Sequence, residues 1–237
     1  MADTSSNLEG TRGRLAGRRI VITGASSGIG RTTARLFKAE GAKLILLDRD
    51  GQGLKDTIAD GDCLCFEVDI TDEAAVENAV GKAAGEMGGI DGVVNAAGIM
   101  SEGAAVDVPA QAWRRLIEVN LTGTYIVSRS CLPWLMREKG STVVNIASAQ
   151  GLLSNAPRLT AYAASKGGVV ALTRSLAADV APNTRVNCVC PGMVDTPMAD
   201  GYRSNVGNYA LKRLADPLEI ARAILFLTST EASYITG

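Results

Sequence analysis

The sequence contains no histidine in its 237 residues. Histidine is the commonest general base in enzymes and the commonest protein ligand of metal ions. Its absence excludes a Ser-His-Asp hydrolase and a histidine-ligated metal centre, so proton transfer has to use tyrosine, lysine, cysteine or a carboxylate. We predict no metal site.

An excess of charge of either sign is also missing. The 24 basic residues are balanced by 25 acidic ones, for a net charge of -1, so no basic surface predicts a nucleic-acid partner or an anionic membrane. No apolar run approaches the roughly 18 residues of a membrane-spanning helix. Residues 1–14 lack the apolar centre of a signal peptide. We therefore predict a cytoplasmic protein with a disordered lead-in over 1–14, one domain over 15–237 and a small-molecule partner.

Cysteine is scarce but unevenly placed. Two of the five cysteines form the pair Cys63 and Cys65, and two more form Cys188 and Cys190. On a strand, this spacing places both thiols on one face, which could begin a metal site or a disulfide. The odd count, the apolar neighbours and the lack of histidine favour small buried core residues in a reducing compartment.

Short apolar runs alternate with longer amphipathic segments along the chain. The patterns predict strands at 19–23, 43–47, 63–68, 92–95, 142–147 and 185–189, and helices near 28–40, 72–87, 112–138, 162–180 and 217–229. Strands rich in Val, Ile and Leu that are separated by helices are typical of a parallel sheet covered on both faces. The predicted fold is α/β, a doubly wound parallel sheet of the Rossmann type in three layers, with ligands at the carboxyl ends of the strands.

A glycine-rich turn follows the first predicted strand. Gly24, Gly28 and Gly30 lie between that strand and a helix, where glycine permits a tight turn and close approach to a pyrophosphate. The second strand ends at Asp48, which can accept both ribose hydroxyls and would repel a 2′-phosphate. We therefore predict NAD rather than NADP, although the neighbouring Arg49 could hold a phosphate.

Tyr162 and Lys166 are one helical turn apart, fourteen residues after Ser148. On a helix, residues at this spacing share a face, and a nearby cation lowers the pKa of a phenol. Such a tyrosine can exchange a proton with an alcohol or a ketone. The alternative is a core tyrosine beside a solvated lysine.

Further motifs occur in a fixed order. They are Thr23 to Gly30 (TGASSGIG), Val68-Asp69-Ile70, Asn95-Ala96-Ala97-Gly98, Asn120 in VNLTGT, Ser148 in NIAS, Tyr162 to Lys166 (YAASK) and Pro191 to Thr196 (PGMVDT). From about residue 15 onward, the chain resembles the short-chain dehydrogenase/reductase family, and its ending resembles the 3-oxoacyl-carrier-protein reductases.

This resemblance implies a role for each matching residue. The implied catalytic residues are Asn120, Ser148, Tyr162 and Lys166. The implied cofactor contacts are Gly24, Ser26, Ser27, Gly28, Ile29, Gly30, Asp48, Arg49, Asp69, Ile70, Asn95, Ala96, Gly98, Tyr162, Lys166, Pro191, Gly192, Val194 and Thr196. Substrate contacts are expected from Ser148, Leu153, Tyr162, Met193 and Met198. Taken singly, Asp69 could instead belong to a helix cap, Asn120 to a helix bend and Ser148 to a loop without duties.

The implied reaction is hydride transfer between NAD(H) and a secondary alcohol or ketone. Two alternatives stay open: an NADP-dependent 3-oxoacyl-thioester reductase, and an NAD(H)-binding sensor without turnover. The chain departs from the family pattern in having one more residue between Ser148 and Tyr162. It also stops at Gly237, so we expect the family's usual last strand to be lacking. The resemblance implies a homotetramer or a homodimer.

Overall fold

The computed structural model describes residues 13–58, 62–137, 139–154 and 156–237. Within these residues, parallel strands form one six-stranded sheet in the order β3-β2-β1-β4-β5-β6. The strands are β1 (Arg19–Thr23), β2 (Lys43–Asp48), β3 (Leu64–Glu67), β4 (Gly92–Asn95), β5 (Ser141–Ile146) and β6 (Thr184–Val189). The predicted doubly wound fold is confirmed.

The sheet reverses its direction of winding at β1, which pairs with both β2 and β4. Thr23, at the end of β1, lies opposite Leu47 on one side and Asn95 on the other. The carboxyl ends of these strands are therefore level, and their loops share one edge of the sheet. In open parallel sheets this switch point is where ligands bind.

Helices cover both faces of the sheet. They are α1 (Gly28–Ala39), α2 (Gly51–Thr57), α3 (Glu73–Met87), α4 (Ala110–Ile117), α5 (Gly123–Leu135), α6 (Thr160–Val180) and α7 (Pro217–Thr228). Asp216 and Glu219 form a reciprocal capping box at the start of α7, which satisfies backbone N–H groups that the helix leaves unpaired.

The core is divided by the sheet into two apolar layers. On β1, Val21 belongs to the layer under α3, α5 and α6, whereas Ile20 and Ile22 belong to the layer under α1, α2 and α7. Because side chains alternate across a strand, β1, β2, β4, β5 and β6 supply both layers, whereas the outer strand β3 supplies only the first. The predicted three-layer arrangement is thus present.

The helix predictions were wrong over one segment and missed one helix. The single helix predicted over 112–138 is broken into α4, a π-helical turn at Glu118–Thr122, and α5. Helix α2 was missed because Gly51 and Gly53 disfavour helix. The side chain of Asp50 compensates by accepting a hydrogen bond from the Gly53 amide at 2.9 Å.

The cysteine prediction was also wrong for most positions. Cys131 alone is buried, whereas Cys65 is exposed and Cys63, Cys188 and Cys190 are partly exposed. Cys63 precedes β3 and Cys188 lies on β6, the two outer strands of the sheet. Their apolar neighbours suggested a core position, but an outer strand has a partner on one side only.

The predicted lead-in falls mainly on residues 1–12, which lie outside the described residues, so it stays a prediction. Arg14, which was included in that lead-in, contacts the domain: its backbone amide donates to a carboxylate oxygen of Glu40 at 2.8 Å. Of the helices that the structure describes, none is long and apolar enough to cross a bilayer.

Gly30 and Gly81 provide a matched stability test of the packing between α1 and β1. A Cβ at Gly30 would lie 2.1 Å from the Gly24 carbonyl oxygen, whereas one at Gly81, on α3, would meet open space. We expect Gly30→Ala to lower the free energy of unfolding by about 1–3 kcal/mol. Gly81→Ala should raise it by about 0.5–1 kcal/mol. Urea unfolding of both variants measures this, and a Gly30→Ala protein as stable as the parent would contradict the close approach.

Candidate active site

The turn after β1 is fastened to the turn after β4. The hydroxyl oxygen of Thr23 accepts hydrogen bonds from the amides of Ala96 and Ala97, both at 3.1 Å. Gly24 has a positive φ of 66°, and a Cβ there would lie 2.7 Å from the Ala97 nitrogen. Only glycine fits at this position, which gives the predicted role of Gly24 in the turn a steric basis.

The amino end of α1 is suited to an anion. Its N-cap residue Ser27 makes no side-chain hydrogen bond to the helix, and the first turn contains no acidic residue. The backbone N–H groups of that turn, which includes Gly28, Ile29 and Gly30, and the helix dipole therefore favour a negatively charged group such as a pyrophosphate. Gly28 has a positive φ of 50°. A Cβ added at Gly28 would lie 3.2 Å from the Thr196 Cγ2.

Asp48 lies beside this turn at the end of β2. Its two carboxylate oxygens accept from the amides of Ser26 and Asp50, each at 3.0 Å. A carboxylate has about four acceptor positions, so Asp48 can still accept from ribose hydroxyls. Arg49 is exposed. These residues fit the adenosine ribose of a dinucleotide.

Asp69 is held by its own turn and does not cap the next helix. Its Oδ1 accepts from the amide and the hydroxyl of Thr71, at 2.9 and 2.8 Å. These bonds hold the pKa of Asp69 below its ordinary value. The cap of α3 is Asp72, which accepts from the Ala75 amide at 3.0 Å. Asp69 and the buried Ile70 are thus positioned by a loop at the cofactor edge.

Asn120 lies in the π-helical turn and is fully buried. Its Oδ1 accepts from the Ile99 amide at 2.8 Å, and its Nδ2 donates to the Ile99 carbonyl at 2.9 Å and to the Ser165 hydroxyl at 3.0 Å. One side chain therefore links the loop after β4 to α6. π-Turns inside helices occur frequently at functional sites, and local sequence propensity gave no sign of this one.

Lys166 is buried on α6, with 5% of its surface exposed. Its ammonium group donates to the Ile146 carbonyl at 2.8 Å. Desolvation lowers the pKa of Lys166 to about 8. A Cβ at Gly98 would lie 3.4 Å from this Nζ and 3.2 Å from the Asn120 Oδ1. Gly98, Asn120 and Lys166 therefore converge.

Tyr162 is also buried, and its phenol lies next to the side chain of Ser148. Burial raises the pKa of Tyr162, and the neighbouring Ser148 hydroxyl opposes that shift only in part. The expectation that Lys166 lowers this pKa is not met in the protein alone. The Lys166 Nζ lies 6.0 Å from the Tyr162 ring centroid, and it donates to a carbonyl instead.

The segment over 191–196 passes beside Ser148 and folds back on a later loop. The Ala149 amide donates to the Pro191 carbonyl at 2.9 Å, and Val194 is buried. Gly192 faces the ring of Tyr209, which a Cβ would approach to 3.0 Å. Tyr209 is not among the predicted site residues, because nothing in the sequence distinguished it from its neighbours.

The predicted substrate residues differ in exposure. Leu153 is 76% exposed and Met198 is 42% exposed, Met193 is partly buried, and Ser148 and Tyr162 are buried. Arg158, in the loop after Ser148, forms an ion pair with Glu102 at 3.5 Å, so its charge is compensated.

A comparison with known proteins assigns the family. A family model described as enoyl-(acyl carrier protein) reductase matches residues 24–237. The chain belongs to the short-chain dehydrogenase/reductase family. The oxidoreductase class predicted from the sequence is thereby confirmed, while the roles of individual residues are proposals.

Several relatives of this short-chain dehydrogenase/reductase match over most of their length. It is 37% identical over 235 residues to the 3-oxoacyl-[acyl-carrier-protein] reductase FabG of Thermotoga maritima, covering 94% of this chain and 95% of the relative. It is 38% identical over 236 residues to the trans-4-hydroxycyclohexanecarboxylate dehydrogenase of Sinomonas cyclohexanicum, covering 94% and 90%.

A solved structure agrees with the fold. A short-chain dehydrogenase/reductase (glucose/ribitol dehydrogenase) from Brucella melitensis superposes with a TM-score of 0.89 at 35% identity, covering 95% of both chains.

The burial of Lys166 predicts a pH-dependent stability. Folding lowers the pKa of Lys166 from 10.5 to about 8, so between these values the unfolded chain binds the proton and the folded chain does not. The contribution of Lys166 to the free energy of unfolding therefore rises with pH across this window, by about 3 kcal/mol. Lys166→Met lacks this rise, so its stability relative to the parent should fall as the pH increases from 8 to 10.5.

Urea unfolding at several pH values checks this. Lys82, exposed on α3, provides the control, because Lys82→Met should differ from the parent by the same amount at each pH. A difference for Lys166→Met that is also independent of pH would contradict the desolvated ammonium.

Proposed function

We propose that this short-chain dehydrogenase/reductase transfers a hydride between NAD(H) and a secondary alcohol or ketone. The observation that carries the proposal is the convergence of Asn120, Ser148, Tyr162 and Lys166 at the carboxyl ends of β4 and β5, next to a glycine turn that suits a dinucleotide. Bound NAD would supply the hydride acceptor and, in its oxidised form, a positive charge near Tyr162.

Tyr162 is the proposed general acid and base. In the oxidative direction, its phenolate takes the hydroxyl proton of the alcohol while the hydride leaves the carbinol carbon. Burial raises the pKa of this phenol, so catalysis requires positive charge to reverse that shift. Lys166 is one turn away, and its ammonium can contribute when it turns from the Ile146 carbonyl toward the ribose.

Ser148 and Asn120 have supporting roles in this proposal. The Ser148 hydroxyl lies next to the Tyr162 phenol, so a substrate oxygen placed between them would be held by both. Asn120 fixes the backbone of Ile99 and lies beside Lys166, where it can support a water path for the proton. We expect the side chains of Leu153, Met193 and Met198 to contact the substrate. Because these side chains are apolar, they favour a substrate whose carbon skeleton is apolar or cyclic.

Asp48 favours NAD as the cofactor. A 2′-phosphate would bring two negative charges beside a carboxylate that already lies at the ribose position. The 3-oxoacyl-thioester reductase is the second candidate because of the similarity to the Thermotoga maritima FabG protein. An NAD(H) sensor is the candidate of another class, but binding alone does not require Ser148. The cytoplasmic location and the homodimer or homotetramer stay predictions.

Tyr162→Phe tests the reaction. It removes the phenolic proton and keeps the ring, so we expect turnover to fall by at least about a hundredfold while NADH binding stays close to normal. The assay is NADH absorbance over a panel of secondary alcohols and ketones, with NAD and NADP in parallel. A variant that keeps most of the activity would refute the assignment, and a parent that binds NADH but turns over nothing would support the sensor.

Asp48→Ala tests the cofactor. Losing charged hydrogen bonds to the ribose should lower kcat/KM for NAD by about 10- to 100-fold, and use of NADP should rise because the repulsion is gone. Arg49→Gln is the control at the exposed neighbour. A parent protein whose activity depends on NADP, and which loses that activity on the single substitution Arg49→Gln, would contradict our assignment of NAD as the cofactor.

A further inference from the structure

Two thiols lie together at the carboxyl end of β6, outside the proposed machinery. The Cys188 and Cys190 sulfurs are 4.0 Å apart, because residues two apart on an extended strand share a face. Both side chains are partly exposed. Among the described residues, no three potential metal ligands of the His, Cys, Asp and Glu types cluster together. The site therefore offers two sulfur ligands and no third.

The two thiols differ in character. The hydrogen bond from the Cys190 thiol lowers the pKa of Cys188, and Thr173 and Arg174 act in the same direction. The same hydrogen bond raises the pKa of Cys190. A hydrogen bond between the two thiols favours a thiolate on the accepting sulfur, and the thiolate is the reactive form.

The separation of the sulfurs selects a bridging ligand over a disulfide. A disulfide requires sulfurs about 2.05 Å apart, so it would need a movement of nearly 2 Å. Trivalent arsenic is pyramidal, and two bonds of about 2.3 Å to it at an angle of about 100° would hold the sulfurs roughly 3.5 Å apart. From the observed 4.0 Å, the pair would have to close by only about 0.5 Å.

We propose that Cys188 and Cys190 form a binding site for trivalent arsenicals that carry one organic group. Such a compound needs two sulfur ligands, which matches the pair. When an organic arsenic oxide reacts with the pair, two arsenic–sulfur bonds form and the arsenic–oxygen double bond breaks. The two thiol protons leave with the oxygen as water. No oxidation state changes.

Occupation of this site should stop the proposed dehydrogenase. The Cys190 sulfur lies beside the Ser148 backbone amide. Cys190 also directly precedes Pro191, whose carbonyl accepts from the Ala149 amide at 2.9 Å. A bridging arsenic would displace the backbone that places Ser148 and the 191–196 segment. This coupling rests on the proposed function, whereas the binding site itself does not.

The chain contains an internal comparison. The Cys63 and Cys65 sulfurs are 3.5 Å apart, but they lie at the start of β3, the opposite end of the strands from the cofactor loops. Arsenical bound there should leave activity unchanged. A Cys63→Ser/Cys65→Ser protein therefore isolates the effect of Cys188 and Cys190.

The experiment treats this double variant with phenylarsine oxide. Intact mass spectrometry should show one adduct per chain, and activity should fall by about tenfold or more. A dithiol such as 2,3-dimercaptopropanol should restore activity, and a monothiol should not. Adding Cys188→Ser to the same background should abolish the stable adduct and make activity resistant to the reagent, with circular dichroism confirming the fold.

Three different results would each contradict a different part of the proposal. No adduct on the Cys63→Ser/Cys65→Ser protein would overturn the site, whatever the activity. An adduct with full activity would overturn the coupling to Ser148. A protein that binds the arsenical but has no dehydrogenase activity before treatment would instead count against the proposed function.

Discussion

The buried ammonium of Lys166 is the constraint around which the catalytic edge is organised. A lysine with almost no exposure is expensive to keep charged, and here it is compensated by one short hydrogen bond to the Ile146 carbonyl. That carbonyl is available because β4 ends at Asn95, which lies opposite Asn145, so Ile146 lies one residue beyond the β4–β5 pairing. The placement of the end of β5 relative to α6 thus decides where the positive charge lies.

Asn120 supplies the second half of this arrangement. Its three hydrogen bonds to Ile99 and Ser165 join the loop after β4 to the helix that carries Tyr162 and Lys166. The π-helical turn is the local distortion that turns the amide inward. Gly98 lies at the same point, where a Cβ would come within 3.2 Å of the Asn120 Oδ1 and 3.4 Å of the Lys166 Nζ, so a larger residue would push on both groups.

Features that depend on neighbouring residues could be predicted from the sequence. The glycine turn before α1 and the acid at the end of β2 are set by the chain within a few residues, and both lie where predicted. Features that depend on tertiary contacts could not. The break in the helix at Asn120 arises from its bonds to Ile99, and the raised pKa of Tyr162 arises from burial that a Tyr-x-x-x-Lys spacing does not report.

The central claim is that this site moves a hydride, and isotope transfer tests it most directly. The protein is incubated with a pool of cyclic and acyclic ketones and NADH that carries deuterium at C4 of the nicotinamide. Our account predicts that mass spectrometry finds an alcohol with deuterium on its carbinol carbon, formed from a ketone whose carbon skeleton is apolar or cyclic. Tight NADH binding with every ketone recovered unreduced would contradict it.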